Sequence, residues 1–203
     1  MVHTSVRSSP PDPDALTPAA RRILDAASQL FYDRGITAVG VDLVAERSGV
    51  TKRTLYDRFG SKDALVATYL LARDRRWRSA VERAVDAAGS ARDRVTAPFD
   101  ALLEWSPGSS RGCAFVNALA ELPDPSHPAH AVAADQKRWL LDLLERLARE
   151  AGLADSRGLA LTLTTLHEGA LTLRGALPAV GAPAAAARAA RALVDEAASV
   201  TGP

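Results

Sequence analysis

The sequence predicts an all-α protein. Apolar residues make up 47% of the 203-residue chain, with Ala and Leu dominant and aromatics few. Ala, Leu, Arg and Glu are strong helix formers, and the Val, Ile and Thr runs that favour strands are sparse. Apolar residues recur at spacings of three and four along most of the chain, and no segment keeps the strict alternation of a strand. A chain of this length can bury a real core.

The elements follow in order. Residues 1–16 read as a disordered arm, because Pro10, Pro11 and Pro13 oppose regular structure. The same stretch has no apolar core of a secretory signal. Thr17-Pro18 is an N-cap followed by proline at the first helical position. Behind it Ile23, Ala26, Ala27, Leu30 and Phe31 share a helical face, and Gly35 stands where the helix should end. A short helix is predicted over 41–47, with Val41, Val44 and Ala45 inward, and Ser48-Gly49-Val50 turns the chain. Another short helix begins at Thr51 and ends near Phe59-Gly60, and Ser61 caps a much longer one. Further helices are expected at about 91–105, 112–121, 128–150, 156–176 and 183–199, separated by Pro- and Gly-containing breaks.

The segment AVGVDLVAERSGVTKRTLYDRF has the spacing of a helix-turn-helix. Ala45 is small where the helices cross, Gly49 supplies a turn with positive φ, and Val50 and Leu55 plug the gap between them. Leu55 and Phe59, four apart, face inward. Thr51, Lys52, Arg53, Thr54 and Tyr56 then crowd the opening of the second helix with hydroxyl, ammonium, guanidinium and phenol donors, which suit phosphate oxygens and purine edges. Lys62 lies at the positive N-terminal end of the next helix, a natural phosphate position. An ordinary αα-hairpin accounts for the Ala and Gly spacing, but not for this concentration of donors.

Residues 17–65 also resemble the DNA-binding domain of the TetR family of bacterial transcriptional regulators. The matching residues are Gly35, Val41-Asp42-Leu43-Val44-Ala45, Gly49-Val50, Thr54-Leu55-Tyr56-Asp57-Arg58-Phe59 and Ser61-Lys62-Asp63-Ala64-Leu65. The phrase RGCAFVNALAELPDPSHPA at 111–129 looks like a C-terminal variant found in part of that family. The resemblance implies a helix-turn-helix DNA-binding domain over 17–62 and a helical effector-binding and dimerisation domain over 63–203. It further implies a homodimer on a palindromic double-stranded DNA operator, released by a small-molecule effector. Lys52 and Arg53 match base-reading positions. Thr51, Thr54, Tyr56 and Lys62 match positions that mostly touch phosphates. Gly40 departs from the pattern, since many relatives carry Thr or Ser there. Asp57 is acidic on the reading helix, where it can pair with Arg53 four residues earlier or accept from a cytosine amino group.

In the larger half, Leu159, Leu163, Leu166, Ala170 and Leu173, with Leu193 and Val194, are candidates for a helical dimer contact. An effector pocket among the middle helices would draw on Tyr69, Trp105, Cys113, Phe115, Asn117, Glu121, Trp139 and His167. The arginine-rich ARDRRWRSA at 72–80 reads as a solvated helix face. His127 and His130 flank Pro128 with poor spacing for one face, and Cys113 has no second cysteine, so no metal site and no cofactor are expected. No nucleophile elbow, phosphate loop or HExxH motif points to an enzyme. A single cysteine suits a reducing cytoplasm, and no apolar run reaches membrane-spanning length. The net charge of +1 means that attraction to DNA must come from a local patch.

Overall fold

The computed structural model describes residues 10–105 and 111–200. Among them the chain forms nine α-helices and no strand: α1 Pro18–Arg34, α2 Val41–Ser48, α3 Lys52–Phe59, α4 Lys62–Ala87, α5 Ala91–Glu104, α6 Ala114–Glu121, α7 Pro128–Glu150, α8 Ser156–Ala176 and α9 Ala182–Ser199. The all-α expectation holds. Among the described residues no helix is long and apolar enough to cross a membrane. Residues 1–9 of the expected arm lie outside the described residues. Beyond them, Pro13–Ala15 makes one 3-10 turn, because the Asp12 side chain accepts from Asp14 N–H and caps it. Three prolines nearby did not prevent a turn whose first position suits proline.

The helices divide into two compact units. The first runs up to Asp74 and takes in Ala114–Ala133; the second comprises Arg75–Cys113 and the chain from Ala134 onward. Thus α4 and α7 each contribute residues to both units, whereas α6 belongs to the first.

In the first unit the local signals act as read. Thr17 Oγ1 accepts from Ala20 N–H at the head of α1, and Gly35, at φ 95°, ends that helix by donating to Phe31 O. Ile23, Ala27, Leu30 and Phe31 are buried beneath α2 and α3, together with Val39 and Val44. Ser61 Oγ accepts from Ala64 N–H and opens α4. The Phe31 ring meets Tyr69 edge-on, with centroids 5.9 Å apart.

In the second unit α9 lies against both α5 and α8. Its alanine face (Ala182, Ala186, Ala187, Ala190) is buried with Val194, and small side chains let the helices approach closely. Gly112 and Gly175 make a tighter contact. A Cβ on Gly175 would stand 2.8 Å from Gly112 N, and one on Gly112 would stand 2.9 Å from Leu171 O. Only glycine fits at either position. The arginine-rich face of α4 is less solvated than expected. Arg78 pairs with Asp135 at 2.7 Å and stacks over Trp139, while Trp77 is buried, because α7 packs along this part of α4.

Candidate nucleic-acid interface

Helix α3 is held by its apolar side and presents its polar one. Leu55 is fully buried and Phe59 nearly so, each contributing about 1.5–3 kcal/mol by burial. Gly49, in the left-handed conformation at φ 66°, donates to Ala45 O and Glu46 O and so turns the chain between α2 and α3.

Thr51 is the N-cap of α3: its Oγ1 accepts from Thr54 N–H at 3.1 Å and lies 2.9 Å from Thr54 Oγ1. Both threonines therefore build the helix start as well as line it. Lys52, Arg53 and Tyr56 are exposed around this start. Arg53 Nε lies 3.9 Å from Asp57 Oδ2, a solvent-exposed i, i+4 pair in the arrangement the sequence suggested. At that length it biases the guanidinium without immobilising it.

Two lysines have partners the sequence did not announce. Lys52 Nζ meets Asp42 of α2 at 2.9 Å, and hydrogen bonding to this carboxylate together with its charge raises the ammonium pKa. Lys62 Nζ donates to Ile36 O at 2.7 Å, tying the head of α4 to the loop after α1. Partial burial there pulls the Lys62 pKa down. Asp42 and Ile36 are ten and twenty-six residues from these lysines, too far for any helical spacing rule to find. Gly40 caps α2 through its backbone alone, and a Cβ there would meet nothing within 4 Å.

The corner between α6 and α7 completes the first unit. Glu121 Oε2 accepts from Thr37 N–H at 2.8 Å, and its carboxylate lies against Gly35. His127 Nδ1 accepts from Ala129 N–H at the start of α7, so the ring carries its proton on Nε2, which faces Asp63 Oδ1 at 3.3 Å. His130 Nε2 donates to Leu122 O at 2.7 Å, folding the corner on itself.

The eight residues considered for an effector pocket are divided between the two units. Tyr69, Asn117 and Glu121 line a small cavity of about 10 Å³ in the first unit, with Phe31, Tyr32 and Ile36. That is room for about one water and no larger ligand. Phe115 is buried in the same unit. Trp105, Cys113, Trp139 and His167 belong to the second unit. There Trp139 serves as the platform under Arg78. Cys113 Sγ is 3.4 Å from Lys137 Nζ, which pairs with Glu168 at 2.7 Å. His167 lies among rings, 5.4 Å from Trp77 and 5.8 Å from Phe99, and Trp77 in turn meets Trp105 at 5.3 Å. Residue spacing could not separate the two groups, since each is assembled from distant helices.

On α8, Leu159, Leu163 and Ala170 are buried within the chain itself, and so present no surface to a second copy. The exposed apolar residues of this region are Leu161, Leu173, Leu177 and Val180. Helical spacing marked an apolar face, and the folded chain buries Leu159, Leu163 and Ala170 of it.

Comparison with known proteins agrees with this arrangement. Residues 23–69 match the model of the bacterial regulatory proteins of the tetR family. The crystal structure of SCO4454, a TetR-family transcriptional regulator from Streptomyces coelicolor, superposes with a TM-score of 0.83 at 30% identity, covering 89% of this chain and 90% of that one. The transcriptional activator FasR of Mycolicibacterium smegmatis is 29% identical over 136 residues, which are 67% of this chain and 62% of FasR. The transcriptional repressor KstR2 of Rhodococcus jostii is 31% identical over 136 residues, 65% of this chain and 57% of KstR2. The chain thus spans less than two thirds of the length of these two relatives.

Proposed function

This chain belongs to the TetR family of DNA-binding transcriptional regulators, and we propose that it is a cytoplasmic homodimeric repressor released from a palindromic operator by a small molecule. The observation that carries the DNA-reading part is the division of α3 into a buried side, Leu55 and Phe59, and an exposed one bearing Lys52, Arg53 and Tyr56. In this reading Lys52 and Arg53 contact base edges, and Thr51, Thr54, Tyr56 and Lys62 fix the helix against phosphates. For Lys62 the phosphate contact is made by an ammonium already anchored on Ile36 O.

Dimerisation suits a palindromic operator. Two reading helices must sit one DNA turn apart, about 34–36 Å, to engage a palindrome. The exposed Leu161, Leu173, Leu177 and Val180 supply an apolar surface for the second copy. Effector control is supported by two features: buried polar groups in the second unit, and α4 and α7, which run from that unit into the first. A ligand favouring one arrangement of α4 shifts the population away from the DNA-competent state. The sign of regulation follows the operator's position, and kinship to both an activator and a repressor fits either outcome.

Sedimentation of the protein with and without an operator fragment tests the assembly. A dimer in solution, with two protomers or a small multiple per palindrome, is the expected result. A monomer that binds half-sites independently would overturn it.

A further inference from the structure

The second unit buries polar atoms that it does not itself satisfy. His167 on α8 is 1% exposed, and neither ring nitrogen has a hydrogen-bond partner. Trp77 Nε1 on α4, whose ring lies 5.4 Å from that of His167, is also buried without an acceptor. Glu168 Oε1 is a third such atom, 3.6 Å from His167 Nδ1 and too far for a hydrogen bond. Each buried, unsatisfied polar group costs about 1–3 kcal/mol. Native proteins keep such groups where a water, an ion or a ligand completes them.

We propose that these atoms form the effector site, and that the effector is an uncharged, flat aromatic molecule bearing a hydroxyl that both donates and accepts a hydrogen bond. This rests on the ligand-released reading above. The surroundings argue for a flat ring: Trp77 and Phe99 meet His167 in tilted and edge geometries, and Trp105 meets Trp77 edge-on, so the groups around these polar atoms are aromatic. The polar atoms argue for a hydroxyl. Glu168 Oε1 accepts, Trp77 Nε1 donates, and the imidazole offers one of each, so a single group with a proton and lone pairs meets complementary partners.

The charges argue for neutrality. Lys137 already neutralises the Glu168 carboxylate at 2.7 Å. An anionic ligand would face Glu168 in a dry site, and a cation would face Lys137. Burial also holds the His167 pKa down, so the ring remains a neutral donor–acceptor. A ligand touching Trp77 acts directly on α4, which leads to the DNA reader.

The test is calorimetric titration of the full chain with phenol and 2-naphthol. Toluene and 2-methylnaphthalene serve as hydroxyl-free isosteres, and benzoate and 2-naphthoate as anions. A hydroxyl probe should bind at least about tenfold tighter than its isostere and its anion, because a site built to hydrogen-bond a hydroxyl rejects analogues lacking it. His167→Phe, which keeps a ring and removes both nitrogens, should erase that preference. Glu168→Gln provides a second variant should the first fold poorly, and should weaken the hydroxyl probes alone. Equal binding of probe and isostere, an unchanged preference in both variants, or no binding by any probe would overturn the proposal and leave buried water as the completing group. Operator binding without probe, measured in parallel, separates the two readings. Intact operator binding by a protein to which none of the probes binds rejects the ligand class and leaves the regulator. Probes that bind without changing operator affinity establish the site and reject release.

Discussion

Glu121, the last residue of α6, accepts a hydrogen bond from the backbone N–H of Thr37 at 2.8 Å, across 84 residues of sequence. Thr37 sits in the loop between α1 and α2, so this one carboxylate fixes the corner from which the helix-turn-helix departs. Gly35 makes room for it, since a Cβ there would stand 3.0 Å from the carboxylate. Glu121→Ala should lower stability by about 0.5–1.5 kcal/mol and weaken operator binding, whereas Glu121→Gln, which keeps an acceptor oxygen, should lose less. Thermal melts and operator titrations of both variants check this. Indistinguishable behaviour of the alanine variant and the parent would remove Glu121 from the account.

The proposed roles on α3 separate by sequence preference. Tyr56→Phe deletes one uncharged phosphate donor, so binding should weaken on all duplexes alike while the slope of log affinity against log salt stays as in the parent. Arg53→Ala should instead relax preference at the base it reads, costing about 1–3 kcal/mol of discrimination. Competition between operator and single-base variants at two salt concentrations distinguishes them. Were both substitutions to alter stability alone, α3 would be structural.

Asp42 sits 2.9 Å from Lys52 and competes with DNA for that ammonium. Asp42→Asn should free Lys52 and remove a negative charge beside the phosphates. Affinity should rise on both duplexes, and more on the operator, where the freed Lys52 reaches base edges. A loss of affinity would show that the pair positions Lys52 rather than restraining it.

His167 makes stability depend on pH in a definite direction. Burial among Trp77 and Phe99 lowers its pKa; the nearby Glu168 opposes this in part, and Lys137 and Arg174 reinforce it. The folded ring therefore gives up its proton more readily than the unfolded one, whose value is about 6.5. Below that pH the unfolded chain binds the extra proton, so folding weakens as the pH drops. Glu168 acts in a lower window. Burial opposes its charge, but His167 and Lys137 together hold its pKa below the usual carboxylate value, so its contribution fades only in acid. Between about pH 7.5 and about pH 5.5 the parent should lose more melting temperature than His167→Gln, which has no proton to gain. Equal losses would place a partner on the imidazolium that the fold does not show.

What was legible in the sequence was what short-range chemistry writes. The caps at Thr17 and Ser61, the turn at Gly49 and the inward pair Leu55 and Phe59 each depend on neighbours within a few residues. Contacts between distant segments were not legible. Nothing local to Glu121 or Thr37 announces their bond, and nothing near Arg78 shows that Asp135 and Trp139 will take it out of solvent. The effector residues show the same limit. Helical spacing marks Tyr69, Asn117 and His167 as inward, but only the packed helices assign the first two to a cavity the size of one water and the third to a ring of aromatics. Along α8 the pattern identified an apolar stripe without distinguishing the buried Leu163 from the exposed Leu161.

The central claim is that the exposed side of α3 reads a particular DNA sequence. Titration of the purified protein against the DNA upstream of its own reading frame, beside a random duplex and at two salt concentrations, tests it most directly. Binding to a palindrome within that DNA should be at least about a thousandfold tighter than to the random duplex, with loss of that margin in Arg53→Ala. Equal affinity for both duplexes at each salt concentration, and no change in Arg53→Ala, would contradict it.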